Sequence, residues 1–300
     1  MIEGGDGSRD RQEAGATLDD LERGRASHRR RAWADAHRWL ARADRTAPLG
    51  AGDLELLAAA SYLLGRDDDY MDALDRAHRA HLDDGDHLRA AACAFWLGFR
   101  LMFRGEAARS SGWLGRAQRL VERDERDVAL RGYLMLPLAE QQLAAEEREA
   151  AHRSATSAAE IGERLGDADL VAFARHMQGR ARVQLGQVED GLNLLDEAMV
   201  AVARGELSPI VTGLLYCSVI DCCHEVHALG RAREWTSALA AWCDQQPDMV
   251  AFVGVCRVHR AEIMQRSGAW SEALEEARRA HERTRASDPG TAGEALYQQA

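Results

Sequence analysis

The chain contains no lysine; all 38 of its basic residues are arginine. That absence removes whole mechanisms, because a P-loop lysine, a kinase lysine and a Schiff-base lysine cannot be built. There is also no G-x-S-x-G elbow, no H-E-x-x-H, and no G-x-G-x-x-G after a strand-like run. Proline is scarce, at five residues, and alternating Val/Ile/Thr runs are missing, so the chain reads as helical. No apolar stretch reaches the roughly 20 residues of a membrane span. The polar opening "MIEGGDGSRDRQEAGAT" lacks the apolar core of a signal peptide. A cytoplasmic location with reduced thiols is the expectation. Basic charge is outweighed, with a net charge of −11. Such a surface repels phosphate backbones, so direct nucleic-acid binding by this segment is not expected. The dense run Arg29-Arg30-Arg31 reads as a solvated helix end.

What is present is small and apolar. Hydrophobic residues make up 46% of the chain but aromatics only 6%. Alanine, common throughout, is the best helix former and lets backbones approach closely. It recurs in phase with larger residues in "WADAHRWLARADRTAPL", "YMDALDRAHRA", "GEAARSSGWLGRA", "VEDGLNLLDEA" and "GAWSEALEEARRA". Seven small anchors can be assigned: Ala36, Ala73, Ser110, Ala151, Gly191, Ala238 and Ala273. Seven residues after six of these stands another alanine: Ala43, Ala80, Ala117, Ala158, Ala198 and Ala280. Twelve residues before three of them stand Gly24, Gly98 and Gly179. Trp33, Tyr70, Trp235 and Trp270 sit three before an anchor. Two antiparallel helices can approach this closely only where each offers a residue with almost no side chain. One such pair cannot bury its apolar faces; a stack of pairs can.

This pattern resembles the tetratricopeptide repeat (TPR). The resemblance implies an all-α, right-handed superhelix of about seven helix pairs plus an incomplete eighth. The expected organisation is a disordered lead over residues 1–16, repeats over 17–285, and the start of a further repeat over 286–300. The fourth repeat, "EREAAHRSATSAA", departs from the family in lacking both turn glycine and aromatic. "FWLGFRLMFRGEAARSSGWLGRAQRLVE" and "RLGDADLVAFARHMQGRARVQLGQVEDGLNLLDEAM" further resemble the repeat region of large actinobacterial LuxR-type transcriptional regulators. In that family the repeats sense or assemble, and a separate C-terminal helix-turn-helix binds DNA. The resemblance therefore implies a regulatory segment of a longer chain, without its DNA reader.

The stretch "YCSVIDCCHEVHALGRAREW" holds Cys217, Cys222, Cys223, His224 and His227. Without a CxxC pair the cysteines read as small buried hydrophobes on a helix. No metal or other cofactor is expected; Cys223, His227 and His176 are the residues a metal site would use. No nucleophile stands beside an activating base, so no catalytic residue is assigned and a non-enzymatic chain is expected. TPR geometry implies a concave groove lined by the first helix of each pair. Offsets from the anchors place Tyr62, Phe95, Phe99, Tyr133, Phe173, His176, Arg180 and His227 in it, with Glu140, Cys223 and Glu262 alongside. An aromatic lane with a few polar fixtures suits a protein or peptide partner, or a small apolar effector. A stand-alone adaptor and a thiol- or metal-dependent sensor are the alternatives.

Overall fold

The computed structural model describes residues 6–126, 128–246, 248–266, 268–285 and 289–299, and among these α-helix is the only regular structure. The helices form antiparallel pairs: α1 (Asp6–Arg29) with α2 (Trp33–Thr46), α3 (Ala51–Leu63) with α4 (Asp67–Asp83), and α5 (His87–Phe103) with α6 (Ala107–Glu122). In the fourth pair the first helix is split into α7 (Leu130–Tyr133) and α8 (Met135–Ala144), and both pack on α9 (Arg148–Leu165). Then follow α10 (Ala168–Gln184) with α11 (Val188–Ala203), α12 (Pro209–Glu225) with α13 (Leu229–Asp244), and α14 (Val253–Arg266) with α15 (Trp270–Thr284). A last helix, α16 (Pro289–Tyr297), packs on α14 and α15. The lead expected over 1–16 overlaps α1 from Asp6 onward, and residues 1–5 lie outside the described residues. Together the pairs make an all-α, TPR-like superhelix.

One turn design joins the two helices of every pair. A left-handed residue stands at Arg31, Gly65, Gly105, Glu146, Gly186, His227 and Gly268, with φ between 60° and 80°. The amide of the next residue donates to the carbonyl five positions back, as in Arg66 to Ser61, Glu106 to Leu101 and Ala228 to Cys223. This is the Schellman closure, which satisfies carbonyls left over at a helix end. Four of the seven use glycine. At Arg31, Glu146 and His227 a side chain is held at φ 60°, at a cost of about 1–2 kcal/mol each.

Five residues after each left-handed residue, the second helix turns one side chain into the hairpin: Ala36, Tyr70, Ser110, Ala151, Gly191, Ala232 and Ala273. The six with side chains are no more than 3% exposed. Two expected anchors are thereby corrected. In the second pair Tyr70 takes the position and Ala73, also buried, lies one turn on. In the sixth pair the anchor is Ala232, fully buried, whereas Ala238 is only partly covered. The aromatic expected to cap each hairpin is buried at Trp33 but 67% exposed at Trp270.

The hairpins nest as tightly as the small residues allow. A Cβ on Gly24 would stand 2.7 Å from Leu40 Cγ, and one on Gly98 would stand 2.7 Å from Leu114 Cγ. Ser110 Oγ donates to the Gly98 carbonyl across the same gap at 2.8 Å. In the fifth pair Gly179 and Gly191 face each other, and a Cβ on either would come within 2.8 Å of the other's carbonyl oxygen.

The superhelix also closes on itself. Helix α12 of the sixth pair touches α3 of the second. Residues 248–252, between α13 and α14, run back through the inside as a strap. The Val250 and Ala251 amides both donate to the Leu63 carbonyl, at 2.8 and 3.1 Å. Just before the strap, buried Gln246 accepts from Trp33 Nε1 at 3.1 Å, tying it to the first pair.

Candidate binding groove

The first helices of the pairs line the interior, and their aromatics meet there. Phe95 stacks on Phe99 with ring centroids 5.5 Å apart. Tyr133 abuts Phe95 at 5.5 Å, and Phe173 meets Phe99 edge-on at 5.6 Å. His176 follows at 5.9 Å from Phe173. The structure thus brings together five of the sequence-predicted groove residues as a continuous lane. It also covers them: Phe95, Phe99, Phe173 and His176 are at most 4% exposed. The lane is the wall of a packed interior. Its open end lies at Tyr62 and Phe103, where the strap enters.

At that end Phe252 of the strap stands 6.1 Å from Tyr62 and 6.0 Å from Trp242. Its ring packs against Gly213 in α12, where a Cβ would come within 2.1 Å of Phe252 Cε2. Only glycine leaves room there. Met249 is fully buried and Phe252 4% exposed, so the strap's apolar side chains point inward. Beside them remains a cavity of ≈ 220 Å³ lined by Tyr62, Trp96, Phe99, Leu214, Cys217 and the strap. Arg100 stands on its rim, bonded to Asp67 at 2.7 Å and lying 5.6 Å from the Tyr62 ring centroid.

The polar fixtures are paired. Arg180 forms an ion pair with Glu140 of the preceding repeat. The Tyr133 hydroxyl donates to Asp167 at 3.1 Å. His176 Nε2 bonds Ser218 Oγ at 2.7 Å, and burial holds its pKa well below the ordinary imidazole value. His227 is not in the groove: it is exposed in the α12–α13 turn at φ 60°. Cys223 is fully buried in the core. The trio His176, Cys223 and His227 therefore does not assemble, because the sixth pair's register is set by Ala232. Eleven residues before the observed anchors of the third to seventh pairs stand Phe99, Glu140, Arg180, Asp221 and Glu262. The same offset taken from Ala238 selects His227 instead.

The cysteines are free, and five of the six are buried. Burial pushes the thiols of Cys93 and Cys223 up to about 12 and that of Cys222 up to about 11. The neighbouring Cys256 thiol and burial raise Cys243 as well. Thiols raised in this way react slowly with oxidants.

Two clusters of metal-ligating type occur among the described residues, Glu55/His81/Cys93 and His224/His259/Glu262. In the first, Arg89 already grips the Glu55 carboxylate through two bonds, at 3.1 and 2.6 Å. The second draws on α12 and α14, and neither His259 nor its partnership with His224 figures in the groove offsets.

No family model matches the sequence, and no curated protein is similar to it. Solved structures of similar fold exist. One is a Rap protein complexed with Competence and Sporulation Factor, 13% identical over 94% of this chain and 76% of that one, with a TM-score of 0.62. Another is the apo form of RapI, 11% identical over 94% of this chain and 98% of that one, with a TM-score of 0.59. At these identities the likeness is one of fold. No helix among the described residues is long and apolar enough to cross a membrane.

Proposed function

We propose that this chain is a binding module whose inner groove takes an extended segment of a protein or peptide partner, and that the strap at 248–252 competes for the same place. The observation that carries this reading is the strap itself. Two main-chain hydrogen bonds to the Leu63 carbonyl and an aromatic anchor on Gly213 are the kinds of contact with which a groove holds a peptide segment. The cavity left beside the strap favours a peptide over a free small molecule. At ≈ 220 Å³ it is smaller than the roughly 300–1,000 Å³ of ordinary ligand pockets, so it suits one side chain. The fold has a precedent for holding a partner, since the Rap structure of similar fold contains Competence and Sporulation Factor.

The test is binding in trans. A labelled peptide of residues 246–253, QPDMVAFV, is titrated into the native chain and into Phe252→Ala. A tethered strap acts at an effective concentration in the millimolar range, so the native chain resists the peptide. The Phe252→Ala chain binds it saturably, and a peptide with alanine in place of phenylalanine binds at least about tenfold more weakly. Failure of Phe252→Ala to bind, or equal binding of both peptides, overturns the reading.

We further propose a cytoplasmic, regulatory setting, with the chain as the sensing repeats of a LuxR-type regulator. Support comes from the wording of its repeats. A helix-turn-helix encoded in frame beyond codon 300 favours this setting; its absence favours the stand-alone adaptor.

A further inference from the structure

Helices α12 and α14 are the first helices of the sixth and seventh pairs, and each turns a histidine and a carboxylate toward the other. On α12 the motif is Asp221-x-x-His224; on α14 it is His259-x-x-Glu262. Residues three apart share a helix face. His224 Nδ1 lies 2.7 Å from Glu262 Oε2. His259 Nδ1 lies 3.5 Å from Asp221 Oδ1 and 3.9 Å from Glu262 Oε2. The two imidazoles meet nearly at right angles, with centroids 6.0 Å apart.

We propose that His224, His259 and Glu262, with Asp221 completing the set, bind a divalent first-row transition-metal ion of the zinc class. Two imidazoles and two carboxylates are a donor set such ions take. With metal–ligand bonds of about 2.0–2.1 Å, neighbouring donors in a tetrahedral site stand about 3.3 Å apart. The three observed separations straddle that value. The independent sign is an unmet demand for partners. His259 is 4% exposed, and neither of its ring nitrogens has a hydrogen bond; Nε2 of His224 is also buried without one. A neutral imidazole carries one N–H and one lone pair, and a core seldom buries both unanswered. A metal ion answers the lone pair.

The surroundings suit this role. Gln298, in the turn just past α16, donates to Glu262 Oε1 at 2.9 Å, and Oε2 is the oxygen nearest the histidines. Such a bond fixes a ligating carboxylate from behind. Asp221 is 59% exposed by side chain and gives the ion a way in. No cysteine belongs to the set.

The experiment uses the whole chain, freed of metal by chelator and titrated with Co²⁺ and then Zn²⁺. The expected result is one Co²⁺ per chain with the visible absorption of a four-coordinate site, displaced by Zn²⁺. X-ray absorption of the zinc form should show a nitrogen and oxygen shell without sulfur. Glu262→Gln keeps the shape and the Gln298 contact, and is expected to weaken Zn²⁺ binding at least about tenfold. His259→Gln serves as a second site variant, and exposed His227→Asn leaves the affinity unchanged. Far-UV circular dichroism confirms that each variant is folded. Binding no tighter in the native chain than in both site variants, or sulfur in the shell, overturns the proposal.

Discussion

The effect of Gly213→Ala should change sign when the Phe252 ring is removed. In the native chain a methyl at position 213 meets the Phe252 ring, whose nearest atoms would lie 2.1, 2.3 and 2.4 Å from it. These are carbons of a ring that is 4% exposed, with Tyr62 and Trp242 around it. The ring must leave. Losing a buried phenylalanine costs about 3–5 kcal/mol. Against that, alanine inside a helix is better than glycine by about 1 kcal/mol. Gly213→Ala alone should therefore cost about 2–4 kcal/mol. In the Phe252→Ala background the three atoms nearest the methyl are gone, and the same substitution should gain about 1 kcal/mol. The coupling, about 3–5 kcal/mol, is large for one pair. Urea unfolding of the four proteins, followed by circular dichroism, measures it. A Gly213→Ala chain as stable as the native one, or an equal effect in both backgrounds, would show that Phe252 does not lie on α12.

Two further expectations concern packing and acid. Gly191→Ala places its methyl 2.6 Å from the Gly179 carbonyl oxygen and 2.8 Å from the Val183 amide, both backbone atoms, so it should destabilise by about 1–3 kcal/mol. Gly112→Ala, in an open stretch of α6, should instead stabilise by up to about 1 kcal/mol on the same urea curves. Burial lowers the pKa of His28, His37, His78, His152 and, most strongly, His176. A base whose folded pKa is depressed leaves stability intact above its unfolded value, about 6.5, and removes it as pH falls below that. The urea midpoint should fall between pH 7.5 and 5.5, and less steeply in His176→Gln; a flat profile would contradict the burial of these imidazoles in neutral form.

The superhelix was legible because its contacts are local. Gly24, Gly98 and Gly179 announce where a partner helix passes, and each meets a residue only 12 to 16 positions on. The aromatic lane was legible for the same reason: a correct register in the third and fifth pairs places Phe99 and Phe173 on one face. The sixth pair was misread because its turn hides its left-handed residue. Glycine marks that conformation at 65, 105, 186 and 268, whereas His227 carries it without any sequence sign. The six-residue slip from Ala232 to Ala238 then promoted His227 and passed over Asp221. The strap was illegible for a different reason. Its partners Leu63 and Trp33 lie about 190–210 residues away, and no periodicity links such positions. The matched spacings Asp221-x-x-His224 and His259-x-x-Glu262 were visible, but only the fold sets the two helices face to face.

Closure of the superhelix around its own strap rests on two amides, those of Val250 and Ala251, which reach across to one carbonyl on α3. Hydrogen–deuterium exchange of peptides covering 248–252 reads them directly. With the strap docked, these amides exchange as slowly as those of neighbouring α14, although they belong to no helix. Exchange at the rate of an unstructured loop would mean that the groove stands open and that the superhelix does not close.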